Sequence, residues 1–243
     1  MLVRLISASL LLLLTAACVN GMADQTITTN QQSFQASGVT DARLETGAGS
    51  LTIVGRPGAA TIEVTAEYKA RASSRQDIQR ILDNLKLTME LRGSTFFLKS
   101  EHLNQWNWSG DSGSIDLTIT MPPAIALSVD DGSGSIEISG IERDITIDDG
   151  SGSIELREIQ GSLTIDDGSG SIQVVDATGN VDIDDGSGEI DVRNVRGSVR
   201  VSDGSGSIDA HDVSGDLVVA SGGSGSLRYS DIQGKIDIPR RKR

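Results

Sequence analysis

Apolar side chains in the second half of the chain alternate with polar ones in short runs and return to the same places every 18 residues. Ile136, Ile138, Ile141, Ile145 and Ile147 are followed by Ile154, Leu156, Ile159, Leu163 and Ile165, then by Ile172, Val174, Ala177, Val181 and Ile183. The same five columns run on through Ile190, Val192, Val195, Val199 and Val201, and through Ile208, Ala210, Val213, Leu217 and Val219. After a one-residue insertion near Gly222-Gly223 they close with Leu227, Tyr229, Ile232, Ile236 and Ile238. Period-two alternation places each set on one face of short strands. The columns survive the insertion because a turn absorbs one residue, whereas a slip inside a strand would turn every later side chain to the other face.

Between the strands stands a repeated corner, first as Asp130-Asp131-Gly132-Ser133-Gly134-Ser135 and then as Asp148-Asp149-Gly150-Ser151-Gly152-Ser153 and Asp166-Asp167-Gly168-Ser169-Gly170-Ser171. A period of this size marks a stacked architecture, since one unit cannot bury its own apolar face and needs neighbours above and below. The predicted fold class is mainly β: a β-solenoid of 18-residue coils over 128–238, preceded by an irregular β region. In such a stack equivalent isoleucines lie about 4.8 Å apart. The competing arrangement is a hairpin meander reversing at the Asp-Gly pairs. It would leave the isoleucine face of an open sheet without a cover, so the solenoid is preferred.

Residues 40–127 keep the same vocabulary in weaker form. Thr46-Gly47-Ala48-Gly49-Ser50-Leu51-Thr52-Ile53 and Asp111-Ser112-Gly113-Ser114-Ile115-Asp116-Leu117-Thr118-Ile119 are degenerate copies of the coil. Ala60, Ile62, Val64, Ala66 and Tyr68 alternate as a longer strand, and Leu87, Met89 and Leu91 as another, with Thr95 to Lys99 next. Between them, residues 74–85 have helical spacing behind a Ser74 cap, which predicts one amphipathic helix. This region is expected to close the first regular coil and shield its edge.

The first 17 residues read as a secretory signal, with Arg4, an apolar run through Leu10 to Leu14, and small residues before Cys18. Thr15-Ala16-Ala17-Cys18 resembles the lipobox of bacterial lipoproteins, with Thr where Leu is usual. The resemblance implies that Cys18, the only cysteine, carries lipid and tethers the chain to a membrane. Val19 and Asn20 then favour the outer membrane of a two-membrane bacterium. The alternative is a plain signal peptide with an incidental cysteine. Residues 18–39 are rich in Gln, Asn, Thr and Ser and are expected to form a tether. The net charge of -13 makes nucleic acid a poor partner for the body of the protein.

Candidate chemistry is sparse. Asp131, Asp149, Asp167, Asp185 and Asp203 form one column, and Asp130, Asp148, Asp166 and Asp184 another. Like charges about 4.8 Å apart cost roughly 0.9 kcal/mol in water and about 3.5 kcal/mol at an effective dielectric of 20. Something must offset that repulsion. One reading is Ca²⁺ held by the Asp131 column; the other is hydrogen bonding to the N–H groups of the Gly-Ser-Gly turn, with water and salt screening the rest. The second is favoured, because calcium-binding nonapeptide arrays place an Asp where this chain has Ile136. No other cofactor is expected. Trp106 and Trp108 are either a sugar- or partner-stacking surface or a cap on the first coil, and the 239–243 basic tail is either a phosphate contact or a solvated end. Catalysis finds little support: His102 and His211 are far apart, and the Asp pairs repeat identically instead of dividing acid from base. Nor is the outward column Thr146, Thr164, Asp182, Arg200, Val218, Asp237 the regular threonine array of an ice-binding face.

The Gly-Ala-Gly-Ser-Leu-Thr-Ile start, the helix, the Met121-Pro122-Pro123-Ala124 step and the tandem Gly-Ser-Gly coils resemble the bacterial "putative adhesin" family with β-strand repeats, a domain of unknown function, over roughly residues 40–238. The resemblance implies a β-solenoid on the cell envelope and brings no catalytic residues. The expected function is therefore a non-enzymatic, lipid-anchored envelope protein whose solenoid presents a surface for adhesion or for binding an envelope protein or glycan. A solenoid carbohydrate-active enzyme and a structural spacer are the alternatives.

Overall fold

The computed structural model describes residues 13–15, 24–102 and 111–238. In chain order the first strands are β1 (Leu13–Thr15), β2 (Asp24–Gln35), β3 (Asp41–Ala48), β4 (Leu51–Gly55) and β5 (Thr61–Ala72). Helix α1 (Arg75–Asn84) follows, then β6 (Leu85–Arg92), β7 (Thr95–His102), β8 (Ser112–Met121) and β9 (Ala126–Ser139). The regular array comprises β10 (Ile145–Asp149), β11 (Gly152–Ile159), β12 (Leu163–Asp167), β13 (Gly170–Ala177), β14 (Val181–Asp185) and β15 (Gly188–Val195). It continues with β16 (Val199–Asp203), β17 (Gly206–Val213), β18 (Leu217–Gly222), β19 (Leu227–Ile232) and β20 (Ile236–Asp237).

The array is a parallel β-solenoid with two walls. One wall stacks β9, β10, β12, β14, β16 and β18 in register, Ile145 beside Leu163 and Asp149 beside Asp167. The other stacks β9, β11, β13, β15, β17 and β19, Ile154 beside Ile172 and Ile172 beside Ile190. Each partner stands one coil away, 18 residues in the regular coils and 19 past the insertion in the last, and the Gly-Ser-Gly corner carries the chain from one wall to the other. Both walls turn their β-branched columns inward, and from Ile136 to Val219 these side chains are 0–2% exposed. The meander is excluded, because Asp149-Gly150 leads to a parallel and not an antiparallel neighbour.

The spacing of three between Leu156 and Ile159 breaks the alternation, and a left-handed residue repairs it. Glu158, Asp176, Asn194, Asp212 and Asp231 take φ values of 54 to 61°, and Gly140 holds the same place in the first coil with φ 69°. At the corner, Gly152 and Gly170 have φ of 142 and 149° and pass so near the coil beneath that a Cβ on Gly170 would stand 1.5 Å from the Gly152 carbonyl oxygen.

The N-terminal half builds the covered end, in an order the chain does not follow. β3 and β4 form a coil that stacks in parallel on β9, and β7 and β8 form a further coil stacked on β3 and β4. The first weak copy thus lies between the second weak copy and the regular array. Antiparallel strands finish both walls: β8 pairs with β5, β5 with β2, and β7 with β6. The Ser74 hydroxyl caps α1 by accepting from the Asp77 N–H at 3.1 Å, and Ile78 and Ile81 bury the helix's apolar face over this end.

Asp24–Gln35 corrects the expected tether over 18–39, since those residues are a strand along the whole of β5. Its polar composition suits an edge strand with a wet face, while Phe34 reaches inward to meet Phe96 with ring centroids 5.1 Å apart. Leu13–Thr15 lies antiparallel on β2. At the opposite end the last coil has no neighbour above it among the described residues, and Tyr229 and Ile236, inward-facing by register, are each 45% exposed.

Candidate functional site

The Asp-Asp-Gly-Ser-Gly corner is where charge concentrates. Counting along β10, Ile145, Ile147 and Asp149 share the inward face while Thr146 and Asp148 point out. The adjacent aspartates therefore separate into two columns with opposite surroundings. Asp130, Asp148, Asp166 and Asp184 form an exposed line on the outer wall, continued at one end by Glu45 and at the other by Ser202. Asp131, Asp149, Asp167, Asp185 and Asp203 are 0–4% exposed.

That burial corrects the expectation that water and salt screen the second column. The turn supplies only part of the compensation. Oδ1 of Asp149, Asp167 and Asp185 accepts from the N–H of Ser151, Ser169 and Ser187 at 3.2, 3.1 and 3.0 Å. Their Oδ2 atoms, and that of Asp131, are buried with no hydrogen-bond partner. The Ser205 N–H faces Asp203 in the same way, but neither Asp203 oxygen is within hydrogen-bond geometry. The column ends at Thr46, whose hydroxyl donates to Asp131 Oδ1 at 2.5 Å, and at Gly222, paired beside Asp203 past a register shift.

These surroundings raise the pKa of all five carboxyls. Burial is the main cause throughout, pushing Asp149 and Asp185 up to about 6. Asp131, Asp167 and Asp203 move in the same direction. Neighbouring column members and the exposed Asp148, Asp166 and Asp184 add Coulombic repulsion, and the turn N–H groups oppose the shift. Ca²⁺ gathers six to eight oxygens around one point. Here each coil supplies one carboxyl, half engaged by its own turn, and among the described residues no three His, Cys, Asp or Glu side chains converge to hold an ion.

The outer faces differ in charge pattern. On the β11 wall, acids and bases balance through Arg157–Glu155, Arg193–Asp191 and Arg228–Asp209 pairs. On the β10 wall the column Ser128, Thr146, Thr164, Asp182, Arg200, Val218, Asp237 runs beside the exposed aspartates, so hydroxyls and carboxylates lie in straight lines over the first coils. A cleft of about 470 Å³ opens at the covered end, where Gly47, Gly113, Gly132 and Ser133 meet Ile81, His102 and Asp111. Trp106 and Trp108 lie outside the described residues, as do Cys18 and the 239–243 tail. His102 and His211 stand at opposite ends, and the His211 ring meets Ser230 at 3.0 Å.

Sequence comparison supplies the family. Residues 43–230 match the family described as Toastrack DUF4097. The chain belongs to that family. A solved structure shares its architecture: a putative adhesin from Bacteroides fragilis aligns with 86% of this chain and 96% of its own at TM-score 0.54 and 14% identity. A putative lipid binding protein from Parabacteroides distasonis aligns with 87% and 97% at TM-score 0.46 and 16% identity. At 14% identity the Bacteroides fragilis likeness shows the fold alone. No curated protein matches the chain. Among the described residues no helix is long and apolar enough to cross a membrane.

Proposed function

We propose that this Toastrack protein is a non-enzymatic binding protein of the bacterial cell envelope, probing partners with the outer β10 wall and held to the outer membrane by lipid on Cys18. The observation that carries the reading is the straight register of Thr146 with Thr164 and of Asp148 with Asp166 and Asp184 on a rigid wall. Ligand groups repeating at about the strand spacing of 4.8 Å meet several equivalent side chains at once, which favours an extended glycan or a basic protein segment over a compact small molecule. The Bacteroides fragilis structure, described as a putative adhesin, supports a surface role. The enzyme reading draws less support, because the outward carboxylates repeat in like surroundings and so do not divide into an acid and a base.

The test uses purified labelled protein and envelope preparations stripped either of glycan by periodate or of protein by protease. Binding that disappears with one treatment, and falls at least tenfold when Thr146, Thr164, Asp148 and Asp166 are replaced together by lysine, is the expected result. Equal binding by that variant removes the β10 wall as the site, and release of reducing ends from envelope polysaccharide replaces this reading with the enzyme. Cys18→Ser tests the anchor separately: the variant is expected to leave the membrane fraction, and its retention there overturns the lipoprotein reading.

A further inference from the structure

We propose that the inward aspartate column is a proton-binding site in which neighbouring carboxyls share protons along the stack in mildly acidic solution. Asp131, Asp149, Asp167, Asp185 and Asp203 stand in unbroken register, and each has at least one oxygen sealed from water without a donor. A buried acceptor with no donor is costly, and a buried unpaired charge is more so. A proton on one such oxygen removes its charge and turns it from an orphaned acceptor into a donor toward the next carboxyl.

The geometry allows it. In Asp149, Asp167 and Asp185 Oδ1 is already committed to the turn N–H, so Oδ2 is the atom left to carry or accept a proton. Consecutive carboxyls stand one strand spacing of about 4.8 Å apart, and where the two oxygens of a carboxyl lie along the stack a single O–H···O bond of about 2.6 Å bridges it to the next. The proton forms an O–H bond on one Oδ2 and is accepted by an oxygen of the next carboxylate, with no change in covalent framework.

The charged surroundings favour retention of the proton. The groups acting on the column from its own wall are Asp130, Asp148, Asp166 and Asp184, all carboxylates. The inward residues of the facing wall are Ile136, Ile154, Ile172, Ile190 and Ile208, and at the covered end stands the neutral Thr46. Among the described buried residues the only other polar one is Ser100, so no buried cation competes with a proton. The upward displacement of all five pKa values has the same origin.

Carbon-13 NMR of the full chain with labelled aspartate carboxyls reads the site directly. Five signals are expected to titrate above the ordinary carboxylate range, those of Asp149 and Asp185 at about 6, and Asp167→Asn is expected to move the midpoints of Asp149 and Asp185. Five midpoints in the ordinary range overturn the proposal. So does a displacement of those midpoints to lower pH by about 1 mM Ca²⁺, which makes the column a divalent-cation site. If Asp167→Asn fails to fold, Thr46→Ser, which keeps the hydroxyl, and Thr46→Val serve instead: only the latter is expected to raise the Asp131 midpoint.

Discussion

The Thr46 hydroxyl donates to the Asp131 carboxyl at 2.5 Å across 85 residues of chain. Thr46 belongs to the coil between the covered end and the regular array, and Asp131 opens the buried column, so this bond joins the column to its cap. Thr46→Val removes the donor and leaves Asp131 with both oxygens poorly satisfied. Chemical denaturation at neutral pH should show a loss of about 1–3 kcal/mol, with Thr46→Ser losing much less.

The corner glycine has no substitute. Alanine at Gly170 would bring Cβ to 1.5 Å from the carbonyl oxygen of Gly152, its register partner in the coil beneath. Gly170→Ala should cost more than about 3 kcal/mol or prevent folding. Ser169→Ala alters only a half-buried hydroxyl in the same corner, and its melting curve should stay close to that of the parent.

Glu158 offers the opposite experiment. It holds φ 56° where the preceding coil has Gly140 at φ 69°, and its side chain is exposed. Glu158→Gly should stabilise the protein by about 0.5–1 kcal/mol, since relief of the left-handed strain exceeds the added freedom of the unfolded chain. A loss of stability would mean that this side chain contributes a contact beyond its backbone conformation.

Periodicity made the solenoid legible. The five apolar columns needed only counting, because β-branched residues recurring at a fixed interval of 18 require coils of equal length stacked in register. The inward aspartates were within reach of the same count, as Asp149 follows Ile147 by two. The Asp-Gly pair instead reads as a solvated turn, and turn chemistry concealed the alternation. The order of the N-terminal coils was not legible: β3 is flanked by β7 and β9, both distant from it in sequence, and the weak signatures carry no information about which copy lies beside which. Asp24–Gln35 looked like a tether because a strand at a sheet edge needs few apolar residues, and only Phe34 marked its inward side.

Asp149→Asn isolates one member of the column. Asparagine keeps an oxygen for the Ser151 N–H and offers an amide donor to the next carboxyl, at no charge. At about pH 7.5 the variant should be more stable than the parent by on the order of 1 kcal/mol, and at about pH 4.5 the two should be nearly equal, as urea denaturation at both values will show. Equal stability at both values would mean that the native Asp149 carries no burial penalty.

Whether the solenoid core holds a column of carboxyls reluctant to ionise is read most plainly from the pH dependence of the parent protein's unfolding free energy. A carboxyl whose folded pKa exceeds its unfolded value binds more protons in the native state between the two, so stability must fall as pH rises through that interval. With Asp149 and Asp185 at about 6 and an ordinary unfolded value of 3.8, the fall lies between about pH 4 and pH 6. Each of the two contributes on the order of 1–2 kcal/mol after allowance for water just outside the wall. Urea denaturation of the full chain should give its highest stability near pH 4.5 and a lower plateau above about pH 7. Stability that rises across the same interval would refute the buried acid column, because it would show the five carboxyls to be better accommodated as anions inside the fold than outside it.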